Sequence, residues 1–191
     1  MGVSDSIFFI LSNNKEAQDY WVKICILHNI TKKYLLLTEE ICETGQLFLQ
    51  PLKEHRDAYD HIIRTFSIDI KQLPENFNRQ DYVLKNLNKA YGHEYRAFFD
   101  TADWLTYNLR QIIRIRIESM NTTGRVLYNR TAKNKIHKSL KEIVNLLNMY
   151  PYEIAKQRYN KDVNLINSVN IINLYKKLMD TLYEIYKITP F

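Results

Sequence analysis

The amino-acid sequence predicts an all-α protein, an antiparallel bundle of five to seven helices. Apolar side chains recur at three- and four-residue intervals along most of the chain, the period of a helix that lies against a core. Only four glycines and four prolines occur among 191 residues, too few for the many turns of an all-β fold. No alternation of apolar and polar residues persists long enough to predict a strand.

Three helices are predicted before residue 67. The first covers residues 4–29 and is expected to be interrupted at Ser12–Asn14. Thr31 is expected to cap a second helix that runs through Phe48, because threonine is a favourable N-cap. Pro51 then begins a third helix, since the first turn does not need the N–H that proline lacks. That third helix is predicted to bury an apolar stripe made of Leu52, Tyr59, Ile62, Ile63 and Phe66.

The second half of the chain follows a loop predicted at 67–79. Residues 80–119 form the longest periodic segment, about 60 Å at 1.5 Å per residue. Asn121–Gly124 are predicted to break it, and a further helix is predicted from about Arg125 or Thr131 to Met149. Pro151 is predicted to open a last helix that ends near Ile188. The whole chain, 1–191, is predicted to form one domain, with 151–191 either completing the bundle or forming an appended helical arm.

Composition excludes several classes of protein. No run of about eighteen apolar residues occurs, so the sequence predicts no membrane span. The first residues carry Asp5 and no basic stretch, which argues against a secretory signal and favours a cytoplasmic protein. Cys25 and Cys42 are too few for a disulfide framework or a zinc site. The glutamates show none of the Glu-x-x-His pairs of a bundle di-metal centre, so no metal and no cofactor are predicted.

The segment Pro51–Arg64 is the candidate for function. It holds two histidines, two arginines and three carboxylates within one helical stretch. Arg56 and His61 are five residues apart, about 140° around an ideal helix, so they flank one groove or interface. A permanently charged fork donor beside a proton carrier suits phosphate chemistry.

A second polar stripe lies in the long predicted helix. Its members fall at intervals of three, four, three and four residues: His93, Arg96, Asp100, Asp103 and Tyr107. Arg96 is expected to reach Asp100 or Asp103, because residues three or four apart are neighbours on a helix surface. Two interpretations stay open. The stripe is either an interhelical salt-bridge network or part of one site with Arg56 and His61.

Positive charge is concentrated between Asn108 and His137, where seven cations face one carboxylate. The strip is either a path for a phosphate backbone or a solvated helix face. Its candidate RNA-binding side chains are Arg110, Arg114, Arg125, Arg130, Lys133 and His137.

The segment Arg56-Asp57-Ala58-Tyr59-Asp60-His61 resembles the Arg-polar-x-x-x-His signature of the HEPN superfamily of helical-bundle proteins. The acidic residue directly after the arginine is part of the usual form of that motif. The resemblance implies a HEPN-like bundle and a metal-independent endoribonuclease, often a toxin or an antiviral defence effector. It also implies a homodimer in which two copies of the motif face one composite site, and an antitoxin or defence protein as a further partner.

Roles for three residues follow from the resemblance. Arg56 would hold the scissile phosphate, His61 would shuttle a proton between the ribose 2′-OH and the leaving 5′-oxygen, and Asp57 would orient one of these side chains. His55 and the stripe residues His93, Arg96, Asp100 and Asp103 would support the site. Members silenced by AMP transfer carry a tyrosine two positions after the histidine, where this chain has Ile63. The alternative is a non-catalytic helical module that binds a protein or a ligand and retains the motif for structure.

Overall fold

A computed structural model describes residues 6–42, 49–69, 77–123, 141–153, 155–156 and 168–188. Within these ranges the chain forms six α-helices and one 3-10 turn, and no β-strand occurs among them. The predicted all-α class is therefore confirmed. Over the same ranges, no helix combines the length and the apolar character that crossing a lipid bilayer requires.

Two helices open the described chain, α1 at Ile7–Asn13 and α2 at Lys15–Ile41. Ser6 caps α1 by accepting the Phe9 N–H at 3.2 Å. Asn14 ends α1 and caps α2, where its side-chain oxygen accepts the Ala17 N–H at 3.0 Å. The predicted interruption at Ser12–Asn14 is confirmed, and its cause is the extended backbone of Asn14 between two capped helices.

Helix α3 covers Leu49–Phe66 and continues into a 3-10 turn at Ser67–Asp69. The turn holds the start of α1, because the Asp69 carboxylate accepts the Ile7 N–H at 3.2 Å. Arg79 at the start of α4 donates to the same carboxylate at 3.4 Å. Helix α4 itself runs Arg79–Thr123, 45 residues. The long predicted segment is thus one helix, and Asn121–Thr123 lie inside it.

Two further helices complete the described part of the chain. Helical residues 141–153 form α5, and α6 covers Ser168–Ile188. Contacts divide the chain into two compact units, Met1–Asp103 and Trp104–Phe191. The boundary falls within α4. Whether the two units make one domain, as the sequence predicts, stays a prediction.

The core of the first unit gathers α1, α2, α3 with its 3-10 turn, and the start of α4. Its fully enclosed side chains include Ile7, Ala17, Ile24, Ile68, Val83, Leu87 and Ala90. Trp21 and Phe66 pack against this cluster, with ring centroids 6.0 Å apart. The histidines described below lie on α2, α3 and α4 of this unit.

The second unit has its own core and a buried cation. Tyr175, Met179 and Leu182 of α6 are fully enclosed. Arg116 of the basic strip is only 7% exposed, donates to the Tyr186 carbonyl at 3.1 Å and lies 4.3 Å from the centroid of that tyrosine ring. This arginine therefore anchors α4 to α6.

Several predicted helix boundaries are wrong. Thr31 does not begin a helix but lies fully buried inside α2, because the apolar stripe of Leu27, Tyr34 and Leu35 continues past it and packing outweighs its capping preference. Helix α3 begins at Leu49, so Pro51 lies within its first turn and not at its start. Pro151 lies inside α5 and does not open a helix, while residues 157–167, between α5 and α6, lie outside the described part of the chain.

The buried face of α3 also differs from the prediction. Its buried residues are Pro51, Ala58 and Thr65, with Ile62 and Phe66 partly buried against the core. Leu52, Tyr59 and Ile63 are 39%, 62% and 44% exposed. The polar half of the helix is turned toward α4, where Glu54, His55 and His61 have their hydrogen-bond partners.

Candidate functional site

Helix α3 carries Arg56 and Asp57 at the surface of the first unit. The Arg56 side chain is 72% exposed and its Nη2 lies 2.7 Å from Asp57 Oδ1, with Nε at 2.9 Å. The hydrogen bond from Arg56 lowers the pKa of Asp57, aided by the charges of Arg56, His93 and His61. Asp57 therefore stays ionised, and it lies within electrostatic reach of both histidines.

His61 is partly buried where α3 faces α4. Its Nδ1 lies 3.0 Å from Asn86 Oδ1, and the Asn86 amide nitrogen donates to the Tyr82 carbonyl at 2.9 Å. Because the amide nitrogen is committed to Tyr82, the Asn86 oxygen faces the imidazole, and His61 Nδ1 is the donor. A neutral His61 then presents Nε2 as a proton acceptor.

His93 stacks on His61, with ring centroids 5.4 Å apart and planes inclined by 24°. Its Nδ1 lies 2.8 Å from Glu54 Oε2 and 2.7 Å from Arg96 Nη2. One imidazole nitrogen cannot donate to the carboxylate and accept from the guanidinium at once. We assign the proton to Nδ1 and the bond to Glu54, since a carboxylate is the stronger acceptor.

Glu54 joins these groups from α3. It is 12% exposed and its Oε2 also accepts from Arg96 Nε at 2.8 Å. Burial raises the pKa of Glu54, but the hydrogen bonds from His93 and Arg96 and their charges outweigh it, so the pKa lies below its usual value. Glu54 is therefore an ionised link between α3 and α4.

A second histidine cluster lies beside the first. His28 of α2 and His55 of α3 both direct Nδ1 at the buried Glu94 of α4, at 3.2 Å and 3.1 Å from Oε1. Their rings meet edge to face with centroids 4.9 Å apart. Four of the five histidines in the chain are thus gathered in two adjacent groups on α2, α3 and α4.

The structure combines some of the predicted site residues and separates others. Arg56, Asp57, His61, His93 and Arg96 all lie on the α3 and α4 surface of the first unit. His55 belongs to the second cluster. Arg96 pairs with Glu54, and its predicted contact with Asp100 or Asp103 stays a prediction.

The predicted RNA-binding strip is described only in part. Arg110 donates Nε to the Thr106 carbonyl at 3.1 Å, one turn earlier on α4, and Arg114 is partly exposed. Arg125, Arg130, Lys133 and His137 lie outside the described residues.

The sequence patterns do not single out Glu54, Asn86, His28 and Glu94. Glu54 and Glu94 are immediate neighbours of His55 and His93, a spacing that differs from Glu-x-x-His. Asn86 lies seven residues before His93, on the same face of α4, a spacing that could have indicated it.

Cys25 gives no support to thiol chemistry. Burial and the nearby charge of Glu94 raise the pKa of its thiol, which disfavours the thiolate that a nucleophile needs.

Comparison with known proteins finds no family model that matches the chain, no curated protein that matches it and no solved structure that resembles it. The candidate site therefore rests on its own geometry.

Proposed function

We propose that the first unit carries an RNA-cleaving site of the HEPN type, formed by Arg56, Asp57, His61 and His93. The observation that carries the proposal is the pair of stacked histidines, 5.4 Å apart, beside an ionised Asp57 and an exposed arginine. Two proton carriers and a guanidinium are the groups that metal-free phosphodiester transfer requires.

The roles follow from the hydrogen bonds. His61 donates Nδ1–H to Asn86, so Nε2 accepts the proton of the ribose 2′-OH as that oxygen attacks the adjacent phosphorus. Arg56 binds the phosphate oxygens and stabilises their added negative charge. Asp57 holds the guanidinium through the 2.7 Å ion pair.

The leaving 5′-oxygen needs a proton, which an imidazolium supplies. His93 lies against His61, and because its Nδ1–H is held by the Glu54 carboxylate, the protonated ring would present Nε2–H to the leaving oxygen. The products are a 2′,3′-cyclic phosphate and a free 5′-hydroxyl. The attacking 2′-OH proton stays on His61, and the proton from His93 passes to the leaving oxygen, so the reaction consumes no cofactor.

The exposed apolar stripe of α3 supports a homodimer. Leu52, Tyr59 and Ile63 lie within an arc of about 40° around the helix, beside Arg56. Exposed apolar side chains in one row are typical of a protein interface. A second copy packed on this stripe would bring its own Arg56 near the first. The proposal places the enzyme in the cytoplasm, with an antitoxin or defence protein as a further partner.

Cleavage of single-stranded RNA by purified protein tests the proposal. The wild type, Arg56→Ala, His61→Gln and His93→Gln are compared, with and without a chelator. Removal of Arg56 or His61 should lower the rate at least about 100-fold, the usual contribution of a proton-transfer or charge-stabilising group. The matched control is Arg64→Ala, an arginine on the same helix that pairs with Asp60 at the surface; it should cleave like wild type.

Two outcomes would end the proposal. They are cleavage that survives both Arg56→Ala and His61→Gln, and absence of cleavage with every RNA tried. RNA with a 2′-deoxy residue at the cleaved position must resist, since it lacks the attacking oxygen. Tyr59→Arg should shift the protein to a monomer in sedimentation analysis and lower the rate.

A second candidate function has its own observation. Glu54 links His93 and Arg96 across α3 and α4, and His61 is tied to Asn86. In a non-catalytic binding module these bonds would serve only to fix the two helices. This alternative is favoured if Arg56→Ala, His61→Gln and His93→Gln lower the stability of the protein and neither they nor the wild type cleaves RNA.

A further inference from the structure

Glu94 is a carboxylate enclosed by three helices. Its side chain is 3% exposed, and among the described residues Glu94 Oε2 has an ion-pair contact with His55 Nδ1 at 3.0 Å that lacks hydrogen-bond geometry. A buried carboxylate needs a compensating positive charge and filled lone pairs. The groups that face it are two imidazoles, which are charged only when protonated.

The two imidazoles present coordinating atoms to the carboxylate. His55 Nδ1 lies 3.1 Å from Oε1 and 3.0 Å from Oε2 of Glu94, and His28 Nδ1 lies 3.2 Å from Oε1. All three residues offer a ligand atom within 4.8 Å of the others. Ligands at about 2.1 Å from a transition metal are themselves about 3.0–3.4 Å apart in octahedral or tetrahedral geometry. The distances from each Nδ1 to Glu94 Oε1 fall in that range.

We infer that His28, His55 and Glu94 form a binding site for one divalent transition-metal ion, with zinc as the representative of the class. Two imidazoles and one carboxylate form an N/O ligand set that zinc and its first-row neighbours favour. The ion supplies the positive charge that buried Glu94 lacks, and it joins α2, α3 and α4 at one point.

A metal ion can reach these three residues from solvent, and the imidazole protons that it displaces have a place to go. The His28 side chain is 49% exposed, so an ion can enter from solvent and keep water in its remaining positions. Coordination displaces the Nδ1 protons, which leave to solvent from a protonated ring or move to Nε2 of a neutral ring. Affinity therefore falls in acid, where protons compete with the metal.

The metal inference is independent of the proposed ribonuclease. His61 and His93 are held by Asn86 and Glu54, outside the three ligands. The ion has a structural role and contributes to no step of RNA cleavage. Loss of metal with cleavage unchanged, or loss of cleavage with metal retained, separates the two.

The test is titration of the full, untagged chain with Zn²⁺ and Co²⁺. Calorimetry monitors both titrations, visible absorption monitors Co²⁺, and metal analysis after dialysis gives the number of ions bound per chain. One ion per chain is expected, together with a rise in thermal midpoint, because a ligand that binds only the folded state stabilises it. His55→Ala and Glu94→Gln should weaken binding more than the roughly 10–100-fold typical of losing an outer-shell partner.

Two further variants keep the inference falsifiable. His28→Ala removes a half-exposed ligand, so it tests binding even where substitution of buried Glu94 prevents folding, which circular dichroism would reveal. His61→Asn removes a histidine from the same helix as His55 but outside the ligand set, and it should bind like wild type. Substoichiometric binding, or binding that His28→Ala and His55→Ala leave unchanged, would overturn the inference.

Discussion

Replacement of Glu54 by glutamine tests the central link of the candidate site. Glu54 is 12% exposed and its Oε2 accepts Arg96 Nε and His93 Nδ1, each at 2.8 Å. Glutamine keeps the shape and an acceptor oxygen but removes the charge. Any loss of stability therefore reports the ionic part of these two hydrogen bonds.

The expected loss follows from the exposure of each partner. A hydrogen bond to a charged group contributes about 1.5–3 kcal/mol when well buried. Arg96 is 51% exposed, so solvent screening reduces its share to about 0.5–1 kcal/mol, whereas His93 is 19% exposed and retains more. Because glutamine still accepts a neutral hydrogen bond, Glu54→Gln should lower the free energy of unfolding by about 2 kcal/mol.

Urea unfolding, monitored by tryptophan fluorescence, measures this loss of unfolding free energy. The chain has two tryptophans, and Trp21 lies in the first unit, so a Trp104→Phe background reports that unit alone. With an m-value of about 2 kcal/mol per molar, the midpoint should fall by about 1 M. A double-mutant cycle of Glu54→Gln with Arg96→Gln should return a coupling of about 0.5–1 kcal/mol.

An exposed pair on the same helix gives the control. Asp60 and Arg64 lie 2.6 Å apart, but both side chains are half exposed, at 54% and 51%. Asp60→Asn should therefore change stability by less than about 0.5 kcal/mol. A Glu54→Gln effect as small as that of Asp60→Asn would refute the view that Glu54 fixes α3 to α4.

Three further predictions concern the cores and a buried tyrosine. Leu87→Ala should destabilise the first unit by about 2–5 kcal/mol in the same assay, because the side chain is fully enclosed; a loss under about 1 kcal/mol would contradict that packing. Arg116→Lys should lower the free energy of unfolding of the second unit by about 1–3 kcal/mol, because an ammonium cannot both reach the Tyr186 carbonyl and stack on its ring. Trp104 fluorescence monitors this unfolding. Wild-type stability after this change would make the contact dispensable. Burial raises the pKa of Tyr150, outweighing a hydrogen bond that lowers it, so the folded state holds this proton more tightly than the unfolded chain. Stability of the second unit should fall as the pH rises above about 10, and Tyr150→Phe should reduce that fall; an identical alkaline profile in the variant would exclude the tyrosine as its source.

Local sequence signals placed the helices well where apolar periodicity and caps agreed. Asn14 interrupts the first helical segment as predicted, and α4 follows the long periodic stretch. The predictions were wrong where they depended on the preference of a single residue. The sequence predicts helix starts at Thr31 and Pro151, but each lies inside a helix, because burial of the surrounding apolar face outweighs the preference of a single residue.

The candidate site, like the helices, is only partly predictable from the sequence. The motif of Arg56 and His61 is visible in the sequence, since both residues lie on one short segment. The contacts between helices are not visible, because His61 meets Asn86 and Glu54 meets His93 only when α3 and α4 pack. A ligand spacing along one helix cannot indicate the proposed set of His28, His55 and Glu94, because each of them comes from a different helix.

By itself, the sequence determined the all-α class, the break at Asn14, the length of α4 and the arginine and histidine of α3, because each depends on neighbours within a turn or two of helix. Only the tertiary structure decided which face of α3 is buried. Its apolar stripe at Leu52, Tyr59 and Ile63 remains exposed, while His55 and His61 face Glu94 and Asn86 of α4. Hydrogen bonds to buried charges between helices set that rotation, and periodicity along one chain segment does not encode them.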